Sequence, residues 1–173
     1  EKIAEQLKAA KRPLIIAGNS NGSDVIKAAA NIARALHDGS DKSVIDLCLL
    51  VPEVNSMGMG LMAGAANPLG AGLEKLQSGE AKRVIVLEND LYRRAAKATV
   101  DAALTAAAKV LVLDQLPTAT TGNADVILPA TAFSEHEATY INYEGRAQLS
   151  FQVHQCQNQA QPSWRWLCDA AHI

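Results

Sequence analysis

Five short apolar runs constrain this chain more than any other feature. They are residues 13–17 (PLIIA), 43–50, 83–87 (RVIVL), 109–113 (KVLVL) and 125–128 (DVIL), the last stopped by Pro129. Runs this short, with no polar alternation, read as strands buried on both faces. Ala-rich stretches of helical period separate them. After the first run Val25, Ala29, Ile32 and Leu36 repeat at helical spacing, with Ile26 and Ala33 widening the stripe. Ser23 or Asp24 is placed to cap that helix, and Gly39 to close it. Residues 91–108 predict a second long helix and residues 73–77 a short one. The alternation predicts an α/β fold: a doubly wound parallel sheet with helices on both faces.

Two regions break the rhythm. Residues 55–72 (NSMGMGLMAGAANPLGAG) are rich in glycine and read as a long mobile or pocket-lining connection. Met57, Met59 and Met62 within it suit gap-filling or loop anchoring. Residues 148–161 carry six glutamines and little periodicity. They predict an extended arm over a neighbouring surface, followed at Pro162 by a short helix that Ser163 caps. The expected organisation is an α/β domain over 1–147 with an arm and terminal helix over 148–173. The chain opens at Glu1-Lys2, partway into a helical pattern, and reads as a segment of a longer one.

Composition narrows the partners. Sixteen Lys and Arg against eighteen Asp and Glu give a net charge of −2, with no basic cluster beyond Lys11-Arg12 or Arg93-Arg94. Nucleic-acid binding is therefore not expected, because it needs a concentrated basic face. Direct membrane insertion is not expected either, since no apolar stretch approaches the roughly 20 residues of a spanning helix. Cys48, Cys156 and Cys168 fit no zinc or iron–sulfur spacing. Unpaired thiols in odd number point to a reducing, cytoplasmic setting.

Candidate site residues gather at the predicted carboxyl ends of strands, where open α/β sheets collect ligands. Gly18-Asn19-Ser20-Asn21-Gly22 follows the first run and could cradle a phosphate, although it is neither G-x-G-x-x-G nor a P-loop. An ordinary tight turn is the reading its residues favour. Glu88-Asn89-Asp90 follows the third run. Its carboxylate could take a ribose hydroxyl or a guanine edge, but capping by Asn89 or Asp90 before Leu91 is the preferred reading. Glu135-His136-Glu137 places two carboxylates beside an imidazole. Consecutive side chains diverge, so a structural role for His136 is favoured over acid–base catalysis.

A further block is more specific: Ala124-Asp125-Val126-Ile127-Leu128-Pro129, then Phe133, Glu135, Thr139-Tyr140, Asn142, Glu144-Gly145-Arg146 and Gln148, with Thr118 and Thr121 in its lead-in. It resembles the hallmark stretch of the molybdopterin oxidoreductase superfamily, and residues 11–18 and Val54-Asn55-Ser56 resemble earlier landmarks of the same unit. The resemblance implies one nucleotide-binding-type half of a large subunit, which helps hold a guanine dinucleotide arm of the pterin cofactor. Gly18, Asn19, Glu88, Asn89 and Asp125 would be its contacts if that site is retained. Where active members carry Gly-Glu-Asn-Pro, this chain has Leu87-Glu88-Asn89-Asp90, and Ala138 replaces a second glycine. With Leu91-Tyr92-Arg93-Arg94, the departure is most similar to the branch of the family in the peripheral arm of respiratory complex I.

That branch implies a scaffold with no catalytic residue or cofactor in this segment, iron–sulfur clusters elsewhere in the full chain, and NADH-to-quinone electron transfer by the assembly. Its partners would be other peripheral-arm subunits and the cluster-bearing part of its own chain, on the cytoplasmic face of the inner membrane. The alternative is the guanine-dinucleotide-binding part of an active molybdopterin enzyme, such as a formate dehydrogenase or nitrate reductase. Residues 12–18 also resemble the opening of a thiamine-diphosphate enzyme's middle domain, in which the Glu144-Gly145-Arg146 block has no place.

Overall fold

A computed structural model describes residues 1–18, 22–39, 45–51, 53–63 and 68–172. The described chain forms two compact units, Glu1–Met62 with Tyr140–Gln148, and Ala63–Thr139 with Leu149–Ile173. Both are α/β and use parallel strands, as the apolar runs predict. The strands fall into two parallel sheets and a hairpin.

The first unit opens with helix α1 (Lys2–Ala9), then strand β1 (Leu14–Gly18), helix α2 (Ser23–Asp38) and strand β2 (Asp46–Leu50). β1 and β2 pair in parallel, Leu14 against Asp46 through Gly18 against Leu50. α2 is the crossover and buries Ala29 and Leu36, whereas Val25 and Ile32 of the predicted stripe stay 40% and 46% exposed. Neither Ser23 nor Asp24 caps it: the cap position is Gly22 and Ser23 is already helical. Gly39 does close it, its N–H donating to Ala35 O. Residues 43 and 44 of the expected second strand lie outside the described residues.

The stretch expected to be an irregular connection instead contains helix α3 (Ser56–Ala63) and the start of helix α4 (Leu69–Gln77). Glycine is a poor helix former, but at Gly58 the chain passes Asn55 so closely that a Cβ would lie 2.3 Å from Asn55 Oδ1. The same Oδ1 accepts from Ile141 N at 2.9 Å, fixing α3's first turn to the hairpin strand beside it. Met59 and Met62 point outward and are exposed, so they fill no gap.

The second unit contains α4, strand β3 (Arg83–Leu87), helix α5 (Lys97–Ala106), strand β4 (Lys109–Asp114), strand β5 (Val126–Pro129) and helix α6 (Ser163–Ala171). The strands lie in the order β3-β4-β5, all parallel. Leu73 and Leu76 of α4 and Val100, Ala103 and Leu104 of α5 pack on Val86, Val110 and Val112. Each such Val or Leu side chain contributes about 1.5–3 kcal/mol on full burial. The helix expected over 91–108 is shorter, because the chain first makes a 3-10 turn at Leu91–Arg93 and enters α5 only at Lys97.

Strands β6 (Ala138–Ile141) and β7 (Ala147–Ser150) pair as a hairpin. Its turn is the Asn142-x-Glu144-Gly145-Arg146 motif. Asn142 Oδ1 accepts from Glu144 N and Arg146 N, and Gly145 takes a left-handed φ of 80°. An Asx-type turn followed by a left-handed glycine is what that spacing supplies. Beyond β7 the arm is irregular, with bends at 154 and 157–159, and Val153 N and His154 N both donate to Ser134 O. Among the described residues no helix is long and apolar enough to cross a membrane.

Candidate functional site

The carboxyl edge of the β3-β4-β5 sheet holds a dense set of polar contacts. β3 ends on Leu87, and Glu88 N still donates to Leu113 O at 2.7 Å, extending the parallel ladder by one rung. Glu88 then adopts φ 47°, the one left-handed residue other than glycine among those described. For a glutamate this is a costly conformation that surrounding contacts have to hold.

Those contacts come from both sides of the turn. Asp90 caps the 3-10 turn, its Oδ1 accepting from Tyr92 N at 3.3 Å and from Thr120 Oγ1 at 2.8 Å. Thr120 is fully buried, and its hydroxyl oxygen also accepts from Leu91 N at 2.8 Å. Asp90 thus caps the turn, the role its position in the sequence favours. Asn89 Oδ1 accepts from Arg94 Nε at 3.0 Å. Glu88 Oε1 accepts from Ser163 Oγ, the first residue of α6. Ser163 is thus a partner of the β3 turn and not the cap of its own helix, whose cap position is Pro162.

A second polar group buttresses the same turn. Tyr92 OH donates to Asp101 Oδ1 at 2.7 Å and accepts from Asn123 Nδ2 at 3.1 Å, while Lys97 Nζ donates to Asp101 Oδ2 at 2.7 Å. Burial pushes the Tyr92 hydroxyl up to about 12, aided by its bond to Asp101 and by the charges of Asp101 and Asp90. Asp101 is held below the usual carboxylate range, first by the Lys97 hydrogen bond and then by that of Tyr92.

The other candidates are not brought to this edge. Asp125 precedes β5 and so stands at the opposite, amino end of the sheet. Its Oδ2 accepts from Val110 N at 2.7 Å and its Oδ1 from Lys109 Nζ at 3.2 Å. The Val110 amide first, and Lys109 second, keep its carboxyl below the ordinary range. Asp125 and Glu88 are separated by the length of a strand, about 15 Å at roughly 3.3 Å per residue, and do not share one small ligand. Gly18 ends β1 in the other unit, where a Cβ would meet Leu50 O at an ordinary 3.6 Å. Asn19 lies outside the described residues.

His136 has a structural partner, Thr131 Oγ1 at 3.0 Å from Nδ1, and Glu135 Oε2 accepts from Ala132 N. The flanking Glu137 is exposed. Among the described residues no group of three or more His, Cys, Asp or Glu side chains is placed to hold a metal ion. No local pattern marks Thr120, and the local pattern at Ser163 suggests only a helix cap, because both act on residues 29 to 75 positions away.

Comparison with known proteins bears on the whole chain. The family model for molybdopterin oxidoreductase matches residues 1–172. The G subunit of NADH-quinone oxidoreductase from Pseudomonas fluorescens is 47% identical over 96% of this chain and 19% of its own length. The proteins of the same name from Shewanella oneidensis and Escherichia coli K12 are 45% and 44% identical, each over 95% of this chain and 18% of their own. The chain thus spans about a fifth of the length of the curated relatives it matches.

Proposed function

For a chain that belongs to the molybdopterin oxidoreductase family, we propose the role of a cofactor-free structural domain in the G subunit of an NADH-quinone oxidoreductase. The observation that carries this is the 44–47% identity, across nearly the whole chain, to proteins of that name. The full-length protein then passes electrons from NADH towards quinone through iron–sulfur clusters outside this segment. The domain meets the cluster-bearing part of its own chain and other peripheral-arm subunits, on the cytoplasmic face of the membrane.

The chemistry of the strand-end turn supports a cofactor-free role. A dinucleotide arm brings a diphosphate, which asks for free N–H donors and positive charge. Here Leu91 N and Tyr92 N are taken by Thr120 and Asp90, Asn89 Oδ1 by Arg94, and Glu88 Oε1 by Ser163. The turn itself contributes two carboxylates and an exposed Leu87 side chain. The groups that could meet a ribose hydroxyl or a guanine edge are thus already engaged within the fold.

The test is molybdenum and tungsten content, with pterin fluorescence, on the purified complex containing the full-length chain. Neither metal nor pterin above background, alongside NADH-dependent quinone reduction, is the expected result. Near-stoichiometric metal and pterin would replace this reading with the active molybdopterin enzyme, and would make Gly18, Asn19, Glu88, Asn89 and Asp125 the residues to test as contacts.

A further inference from the structure

Residues 161–166 touch both flanks of the β3-β4-β5 sheet at its carboxyl edge. On the β5 side, Gln161 N donates to Pro129 O at 3.3 Å, Thr131 N donates to Gln161 O at 3.3 Å, and Trp166 Nε1 donates to Pro129 O at 2.9 Å. On the β3 side, Ser163 Oγ donates to Glu88 Oε1, and Ser163 is buried to 6% exposure. β4 lies between those flanks. A segment held at both must cross the end of the central strand, two strand spacings or about 10 Å.

That edge is where an open parallel sheet receives a ligand, and a helix N-terminus there favours negative charge. In this unit the helix is α6, nine residues long, and the negative charge beside its first turn is Glu88. We propose that residues 161–166 form a built-in strap over the sheet's ligand-receiving edge. Glu88 is its latch, the protein's own carboxylate standing where an incoming anion would stand. The left-handed Glu88 is held in place by the strap, and the strap is held in place by Glu88. This rests on the cofactor-free reading above and adds to it the device that keeps the edge closed.

The experiment is amide hydrogen exchange by mass spectrometry on the assembled complex, comparing the parent protein with Ser163→Ala and Glu88→Gln. Losing one charge-assisted hydrogen bond shifts a local opening equilibrium by about tenfold. A rise of that size at residues 161–166 and 88–92 together, with Val110 and Val112 amides unchanged, is the expected outcome. Should Glu88→Gln fail to assemble, Ser163→Ala removes the same bond without altering the left-handed residue. A rise confined to one of the two segments, or to neither, overturns the latch. Metal and pterin assays on the parent preparation separate the two readings: cofactor present defeats the functional role, whereas absent cofactor with uncoupled exchange defeats the latch alone.

Discussion

The two units are built from the same strand–helix–strand grammar and reach different degrees of completion. In the second, three parallel strands meet α4 and α5, and Val100, Ala103 and Val112 are wholly shielded from solvent. In the first, two strands meet α2, and among the described residues the buried apolar side chains of these elements and their approach are Pro13, Ala29 and Leu36. Leu14, Ile16 and Leu50 project from one face of that smaller sheet and stay 49–60% exposed. A crossover alone makes a sheet parallel; a third strand and a second helix make it a core. The candidate site belongs to the unit that has the core, and this is no accident of position, because a left-handed glutamate needs a rigid frame.

The sharpest test of that contrast is Leu76→Ala in α4. It should lower the second unit's stability by about 3 kcal/mol, read as accelerated exchange of β3 and β4 amides. A cost under about 1 kcal/mol would mean that the core is not the main support of this unit. Next is Thr120→Val, which removes the acceptor for a buried Leu91 N–H and the donor to Asp90. It should cost about 2 kcal/mol, localised to the turn after β3.

Tyr92→Phe should cost about 1 kcal/mol and also change the alkaline limb. The Tyr92 pKa lies above its unfolded value, so its stabilising contribution is complete below about pH 10 and is lost as pH rises towards about 12. The variant's stability should therefore fall less over that window than the parent's, measured by denaturant unfolding at each pH. Asp125 works in the opposite sense. Its folded pKa is depressed, so its contribution is present above about pH 4 and disappears as pH falls below that. Asp125→Asn should flatten the acid limb slightly, read by the same denaturant unfolding at each pH. The smallest effect should come from Ile16→Ala in the first unit, within about 0.5 kcal/mol. A loss comparable to that of Leu76→Ala would show that the exposed face of β1 and β2 is covered in the assembled protein.

How far the sequence could be read depended on whether the deciding interaction was local. Buried parallel strands announce themselves as unbroken apolar runs, so β1 to β5 were legible to within a few residues. Helix α3 was not, because glycine and methionine carry little helical signal and its first turn is held by Asn55, which also accepts from Ile141, 86 positions away. The break before α5 was hidden for a similar reason: Thr120 reaches back to Leu91 N and holds the 3-10 turn. At the site, capping by Asp90 could be read from the sequence, since it acts over two residues. The bond between Glu88 and Ser163, and the seat of Asp125 at the far end of the sheet, could not. One spans 75 positions, and the other follows only from knowing which end of β5 faces which end of β4.

The hairpin of β6 and β7 has a consequence for how such a chain could be taken apart. The second unit is interrupted after Thr139 and resumes at Leu149, and the nine residues between them belong to the first. Both break points lie in neighbouring paired strands, so the severed ends are about one strand spacing apart, close to 5 Å. In the language of gene fusion this is an insertion whose two scars abut. Excising residues 140–148 and closing the gap with a two-residue turn should leave a self-contained, uninterrupted 63–173 polypeptide.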